Sequence, residues 1–361
     1  MIDLPARPRI LIIVLRRLGD VLLTTPLIRS VRRAWPDATL DVLVFSDTTG
    51  ILAGNPDIDN VITMPVRPTA ADSLALAARL MRRYELAISV QGGDRPIFFA
   101  ITAGRQSVGP VASASVMDRT KRALLTHGVP PAVGVHRVEE VLRLADAIGI
   151  ARVADVVCPA GPQRDAVRGD YAVIHPAPMF LYKRWTVAGW RALASELGAR
   201  GLKVFVTGGP AQAEKSYLDD VVGGMREVER LDGALPWHEI SALVAGARVF
   251  IGPDTSVTHL AAAAGAPTVA LYGPTDPRLW GPWPRGGLNR PWQAAGHMQQ
   301  RGNVWLVQNP LPCLPCQNEG CDRHLESRSQ CLDELAPAAV LLAVDQALSS
   351  QLAPREVRAN A

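Results

Sequence analysis

Asp20 follows Arg16-Arg17-Leu18-Gly19, directly after the apolar run Ile10 to Leu15. A carboxylate at such a place has two uses. As a helix N-cap it accepts a backbone N–H and suits the positive end of the helix dipole. Projecting from a sheet edge, it can take the proton of a substrate hydroxyl as a general base. A second group is Asp254-Thr255-Ser256, with His259 one turn further on and Thr275 in Gly273-Pro274-Thr275-Asp276-Pro277. At a helix start, free N–H groups, the dipole and two hydroxyls make a phosphate site. Read singly, Asp-Thr-Ser is an ordinary cap and His259 a core histidine. Lys183, in Lys183-Arg184-Trp185, can neutralise the charge on a departing diphosphate, or be a solvated surface lysine. Glu214, just past Gly208-Gly209-Pro210, is placed to accept hydrogen bonds from a ribose, or to serve as an acid at a helix start.

The elements that must position these residues are read from periodicity. Residues 10–15 are uniformly apolar, which predicts a central parallel strand. Val21, Thr25, Ile28, Val31 and Trp35 then recur at helical spacing until Trp35-Pro36 stops the pattern, placing Asp20 where strand becomes helix. Ligands of open α/β sheets bind at that edge. Strands are expected at 39–45, 61–64 and 86–91, and helices at 70–83 and 138–148. Gln91-Gly92-Gly93-Asp94 falls at the same edge as Asp20. A connector over 151–169 precedes a second alternation, with strands at 171–174, 203–207, 248–251 and 268–271 and helices at 186–200 and 257–264. A last helix is expected over 337–348. The fold class is α/β, two Rossmann-like domains facing each other across an active-site cleft. The expected division is 1–160, 161–335 and a C-terminal helix and tail over 336–361.

A chain of 361 residues suggests two cores, and 48% hydrophobic with 20% charged residues is a globular composition. No apolar run approaches the roughly 18 residues that span a bilayer. The opening Met1-Ile2-Asp3-Leu4-Pro5 is unlike a secretory signal, so a cytoplasmic protein is expected. The net charge of +4 sits wholly in residues 1–150, with 18 Lys+Arg against 14 Asp+Glu, which suits an anionic acceptor. Arg79, Arg82 and Arg83, and Arg119, Lys121 and Arg122, are local basic clusters, readable as solvated helix faces or as contacts for an acidic partner or membrane surface. A dehydrogenase would want G-x-G-x-x-G after the first strand, where this chain has L-R-R-L-G-D. Cys313, Cys316, Cys321 and Cys331 are spaced C-x2-C-x4-C-x9-C, with Cys158 apart. They read as reduced thiols or as four thiolates suited to tetrahedral zinc or iron. Acidic residues crowd them, against a nucleic-acid module.

L-G-D-V-L-L-T-T-P at 18–26, K-R-W at 183–185, G-P-D-T-S-V-T-H-L at 252–260 and L-Y-G-P-T-D-P at 271–277 together resemble glycosyltransferase family 9, the heptosyltransferases of lipopolysaccharide core assembly, over nearly the whole chain. The resemblance implies a GT-B fold, the acceptor on the first domain and the ADP-sugar on the second, with inversion at the anomeric carbon and no catalytic metal. By that likeness Asp20 matches the family's acidic base. Lys183, Asp254, Thr255, Ser256 and His259 match its nucleotide and phosphate contacts. Leu23 stands where many relatives have His, and Ser256 where Gly commonly follows Asp-Thr. A similar cysteine cluster occurs in the family, and its autotransporter-modifying branch carries a four-cysteine iron finger, which supports a structural metal. The function implied is transfer of a heptose from ADP-heptose to an anionic, lipid-linked inner-core acceptor at the cytoplasmic face of the inner membrane, with peripheral membrane contact and no nucleic-acid partner. A protein heptosyltransferase of the autotransporter type and a non-catalytic nucleotide-sugar-binding protein are the alternatives; Asp20 together with Lys183 argues against the latter.

Overall fold

A computed structural model describes residues 2–162 and 169–350 and divides the chain into two compact units, 1–162 and 163–361. Residues 163–168 of the expected connector and the expected tail past residue 350 lie outside the described residues.

The first unit contains β1 (Arg9–Val14), α1 (Leu18–Leu22), α2 (Thr25–Ala34), β2 (Thr39–Phe45), β3 (Asn60–Met64), α3 (Ala70–Leu80) and β4 (Tyr84–Ser89). After these come α4 (Asp94–Ala103), β5 (Gly104–Pro110), α5 (Val116–Leu124), β6 (His127–Val129) and α6 (Arg137–Ala147). The sheet order is β3-β2-β1-β4-β5-β6, all parallel. Strand order reverses between β1 and β4, the switch point of a doubly wound sheet. Ile10 to Val14 are fully buried, as an all-apolar central strand must be when helices cover both faces.

The helix expected through Val21 to Trp35 is two helices. Pro26 has no N–H to return to the carbonyl of Leu22, and that carbonyl instead accepts the Thr25 hydroxyl at 2.7 Å. The Thr24 hydroxyl likewise donates to the Asp20 carbonyl at 2.8 Å. The break lets α1 set its own direction at the end of β1. Sequence reasoning passed over α4, β5, α5 and β6. In β5, Gly-Arg-Gln-Ser-Val-Gly-Pro shows no apolar alternation because neighbours leave little room: a Cβ at Gly104 would lie 2.3 Å from the Gln106 carbonyl.

The second unit repeats the plan with β7 (Tyr171–Ile174), α7 (Val187–Ala199), β8 (Lys203–Val206), α8 (Gln212–Val222), β9 (Val228–Arg230), α9 (Trp237–Gly246), β10 (Val249–Pro253), α10 (Ser256–Ala264) and β11 (Thr268–Leu271). It ends with α11 (Pro277–Trp280), β12 (Met298–Arg301), β13 (Val304–Val307), α12 (Gln330–Asp333) and α13 (Pro337–Ser349). The order is β12-β13-β11-β10-β7-β8-β9, parallel except for β12 against β13. Its switch point lies between β7 and β10. Gly265 closes α10 at φ 90°, a left-handed cap that favours glycine. Fully buried Trp185 and Trp190 meet edge to face at 5.2 Å, and Val340, Ala343, Val344 and Ala347 of α13 join the same core.

Candidate active site

Asp20 is the third residue of α1, beyond the carboxyl end of β1 and so beside the switch point of the first sheet. It is not a cap; Arg17 holds that position. Its Oδ1 lies 3.1 Å from Arg16 Nε and 3.6 Å from Arg137 Nε. Arg137 is 5% exposed and also holds Glu140 at 2.8 Å and the Val90 carbonyl at 3.3 Å. Both guanidinium contacts fall on Oδ1. Among the described residues Oδ2 takes no hydrogen bond or ion pair, and it is not sealed from solvent. One oxygen is thereby ion-paired without a hydrogen bond and the other left open, an arrangement that suits a base awaiting an incoming hydroxyl. Gln91 Nε2 donates to the Leu15 carbonyl at 2.9 Å, which brings Gln91-Gly92-Gly93-Asp94 to this edge. Arg137 went unnoticed in the sequence. The signal was available: it shares the buried stripe of Val141 and Ala145 at i, i+4 and i+8, where a cation needs a partner.

In the second unit Asp254, immediately after β10, gathers the expected residues around itself. Lys183 Nζ is 2.5 Å from Oδ2, to which Thr275 Oγ1 also donates at 2.8 Å. Oδ1 accepts the Tyr272 hydroxyl at 3.4 Å and lies 3.7 Å from His259 Nε2. Burial alone would push this carboxyl up. The adjacent Lys183 ammonium and His259 imidazole outweigh burial and hold it well below the usual carboxylate range. Asp254 and His259, expected as nucleotide contacts, are 8% and 4% exposed and face one another. As placed, the Asp254 carboxylate is turned onto Lys183 and Thr275 rather than out to solvent. Tyr272 is the member that sequence reasoning missed, because it reads as the last apolar residue of a strand.

The turn carrying Lys183 is anchored on three sides. Trp185 is fully buried with its Nε1 donating to the Leu335 carbonyl at 2.8 Å, and its own carbonyl accepts the Tyr217 hydroxyl at 3.2 Å. The Ser329 hydroxyl donates to the Tyr182 carbonyl at 2.7 Å. Arg184 lies over the Tyr217 ring at 4.2 Å. Thr255 is the N-cap of α10, its Oγ1 accepting the Thr258 N–H at 3.3 Å, and Ser256 is the first helical residue. Gly252 is required here: a Cβ would lie 2.7 Å from Thr258 Oγ1. The opening N–H groups of α10, at the carboxyl end of β10, can bind an anion. Glu214 stands outside the Asp254 group, in α8, where its Oε2 accepts the Gly209 N–H at 2.6 Å. One of the two oxygens expected to meet a ribose therefore braces the Gly208-Gly209 loop.

His175, on the loop leaving β7, is buried with Nδ1 3.0 Å from Thr207 Oγ1, and burial lowers its pKa to about 4. The unfolded chain binds a proton near pH 6.5 that the folded chain refuses until about pH 4, so stability falls as pH drops through that window. Denaturant titration at pH 7 and pH 4.5 is expected to show a loss of about 2 to 3 kcal/mol, largely absent in His175→Gln. At pH 4.5 the Asp254 contribution, which fades only below its unfolded value of 3.8, is still in place.

The cysteines depart from expectation. Cys331 is buried, Cys316 half-buried, and Cys313 and Cys321 exposed. Burial pushes the Cys331 thiol up to about 12, and the other three cysteines, near enough to act on it, push the same way. Cys321 Sγ accepts the Gln330 N–H at 3.3 Å. Yet among the described residues no three or more His, Cys, Asp or Glu side chains are arranged to hold a metal ion. The four thiols share a neighbourhood without forming the ligand set expected for zinc or iron, and no chemical step is assigned to a metal.

The sequence profile of glycosyltransferase family 9 (heptosyltransferase) matches residues 143–310. Lipopolysaccharide heptosyltransferase 3 of Escherichia coli is 29% identical over 287 residues, 73% of this chain and 83% of the relative. Lipopolysaccharide heptosyltransferase 1 of Pseudomonas aeruginosa is 26% identical over 376 residues, 97% of this chain and 100% of the relative. The solved structure of E. coli ADP-heptose lipopolysaccharide heptosyltransferase II matches with a TM-score of 0.72 at 19% identity, covering 96% of this chain and 100% of that one. The fold is GT-B, and the chain is a glycosyltransferase similar over most of its length to the heptosyltransferases of glycosyltransferase family 9.

Proposed function

We propose that this enzyme moves a heptose from ADP-heptose to a hydroxyl of an anionic, lipid-linked lipopolysaccharide inner-core acceptor, inverting the anomeric carbon, with Asp20 as the general base. The observation that carries the reading is the Asp254-centred group: it fixes a lysine at the strand edge that also presents the start of α10, in a chain similar along its length to lipopolysaccharide heptosyltransferases. A sugar hydroxyl is a poor nucleophile near neutral pH. Asp20 Oδ2 takes its proton as the new bond forms, on the face of the sugar opposite the departing diphosphate. Lys183 and the N–H groups at Ser256, with the Thr255 and Ser256 hydroxyls, neutralise the charge that collects on ADP as it leaves. The remaining oxygen of Glu214 is free for a ribose hydroxyl. In this scheme the first unit holds the acceptor and the second the donor, no cofactor is needed for catalysis, and the work is done at the cytoplasmic face of the inner membrane.

The test is ADP release from ADP-heptose in the presence of a panel of truncated core acceptors. Release driven by one or more of them is expected. If none drives release while UDP- or GDP-sugars do, the donor assignment fails.

A further inference from the structure

α5 is built inside out. None of its nine residues is buried, and Val116, Met117 and Leu124 are 69%, 58% and 59% exposed. Val116, Thr120 and Leu124 recur every four residues with Met117 beside them, so the apolar side chains form one stripe. That stripe faces solvent, while Lys121 and Arg122 reach back to the protein. The Arg122 stem lies against β6, where a Cβ at Gly128 would be 3.4 Å from Arg122 Cγ, and its guanidinium donates to the Val111 carbonyl at 2.9 Å. Lys121 pairs with Asp94 and donates to the Gly92 carbonyl at 3.2 Å. The helix is not a frayed end: Ser115 and Asp118 form a reciprocal capping box with both bonds at 3.0 Å.

Exposed Arg119 flanks the stripe, and Arg95, also exposed, follows the Asp94 that Lys121 holds. Against Asp94 and Asp118, these four cations leave the neighbourhood positive, within the stretch that carries the chain's whole basic excess. We propose that α5 is the surface by which the enzyme lies on an anionic phospholipid bilayer, with Val116, Met117 and Leu124 entering the boundary between headgroups and acyl chains and Arg119 and Arg95 meeting lipid phosphates. A second copy of the chain is the poorer occupant. Two turns of helix offer far less than the roughly 800 Å² per partner of a stable interface, whereas interfacial binding needs only a few apolar side chains and cations. The inference deepens the proposed function, in which the acceptor is lipid-linked.

The full-length protein is mixed with phosphatidylglycerol–phosphatidylethanolamine vesicles or with phosphatidylcholine vesicles and sedimented. Wild type is expected to pellet with the anionic vesicles and at least tenfold less with the neutral ones. Val116→Asp/Met117→Asp/Leu124→Asp, which alters no buried residue, is expected to lose at least tenfold in partitioning while its melting temperature and its turnover on a soluble truncated acceptor stay as in wild type. Arg95→Glu/Arg119→Glu tests the electrostatic half and is expected to weaken binding comparably. Equal partitioning of wild type and both variants, no binding of wild type to anionic vesicles, or a loss of self-association in the triple variant would overturn the proposal. Vesicle binding without turnover on any core acceptor would instead sink the proposed function and leave this surface standing.

Discussion

Asp20→Asn is expected to slow heptose transfer by about 10³-fold or more while leaving ADP affinity within about twofold of wild type. The size follows from the role: a positioned general base contributes typically 10² to 10⁴ in rate, and an amide has no basicity to replace it. The selectivity follows from where the side chain sits. Asp20 belongs to the first unit, whereas Lys183, Asp254, Thr255 and Ser256 all belong to the second. Asparagine is preferable to alanine because its carbonyl oxygen can still face Arg16 and Arg137, and Arg137 keeps Glu140 and the Val90 carbonyl. The arrested enzyme therefore stays folded, as a thermal melt would check. Initial rates of ADP release and calorimetric titration with ADP decide the matter together. Wild-type-like turnover in the purified variant would falsify the base assignment, and a collapse of ADP binding alongside turnover would make Asp20 a structural residue.

What could be read from the sequence depended on how each segment satisfies its burial. β1 was legible because a strand buried on both faces has to be apolar throughout. β5 was not, because Gly104 and Gly109 stand where a Cβ would meet neighbouring atoms, so the strand carries no apolar alternation. Local hydrogen bonding hid the α1–α2 break, since Thr25 and Pro26 jointly divert the Leu22 carbonyl. In the candidate site, Lys183, Asp254, His259 and Thr275 were visible as types at strand edges, and the structure brings them to one carboxylate. Their mutual arrangement was not visible. A sequence shows that an aspartate and a histidine lie five residues apart, not that they face each other with a lysine on the same carboxylate. The cysteine spacing left reduced thiols and a metal site both open, because spacing does not fix the depth at which each sulfur sits.

That arrangement makes the second large effect separable into two parts. Lys183→Met is expected to lower turnover by about 10² to 10³-fold, the usual cost of losing one group that stabilises developing charge. It should also destabilise the protein by about 3 kcal/mol, because Asp254 is 8% exposed and loses its nearest cation, keeping only the Thr275 and Tyr272 hydroxyls and the more distant His259. Adding Asp254→Asn removes the stranded charge. Since Lys183 and Asp254 are in direct contact, the two substitutions should be strongly non-additive in stability, the double variant recovering most of what Lys183→Met lost. Turnover should not recover, because no cation then stands ready for the leaving diphosphate. Urea midpoints and rates of ADP release across wild type, both single variants and the double variant close this cycle. Recovery of both quantities in the double variant would mean that Lys183 serves only to neutralise Asp254, and the diphosphate would then have to be met by the start of α10 alone.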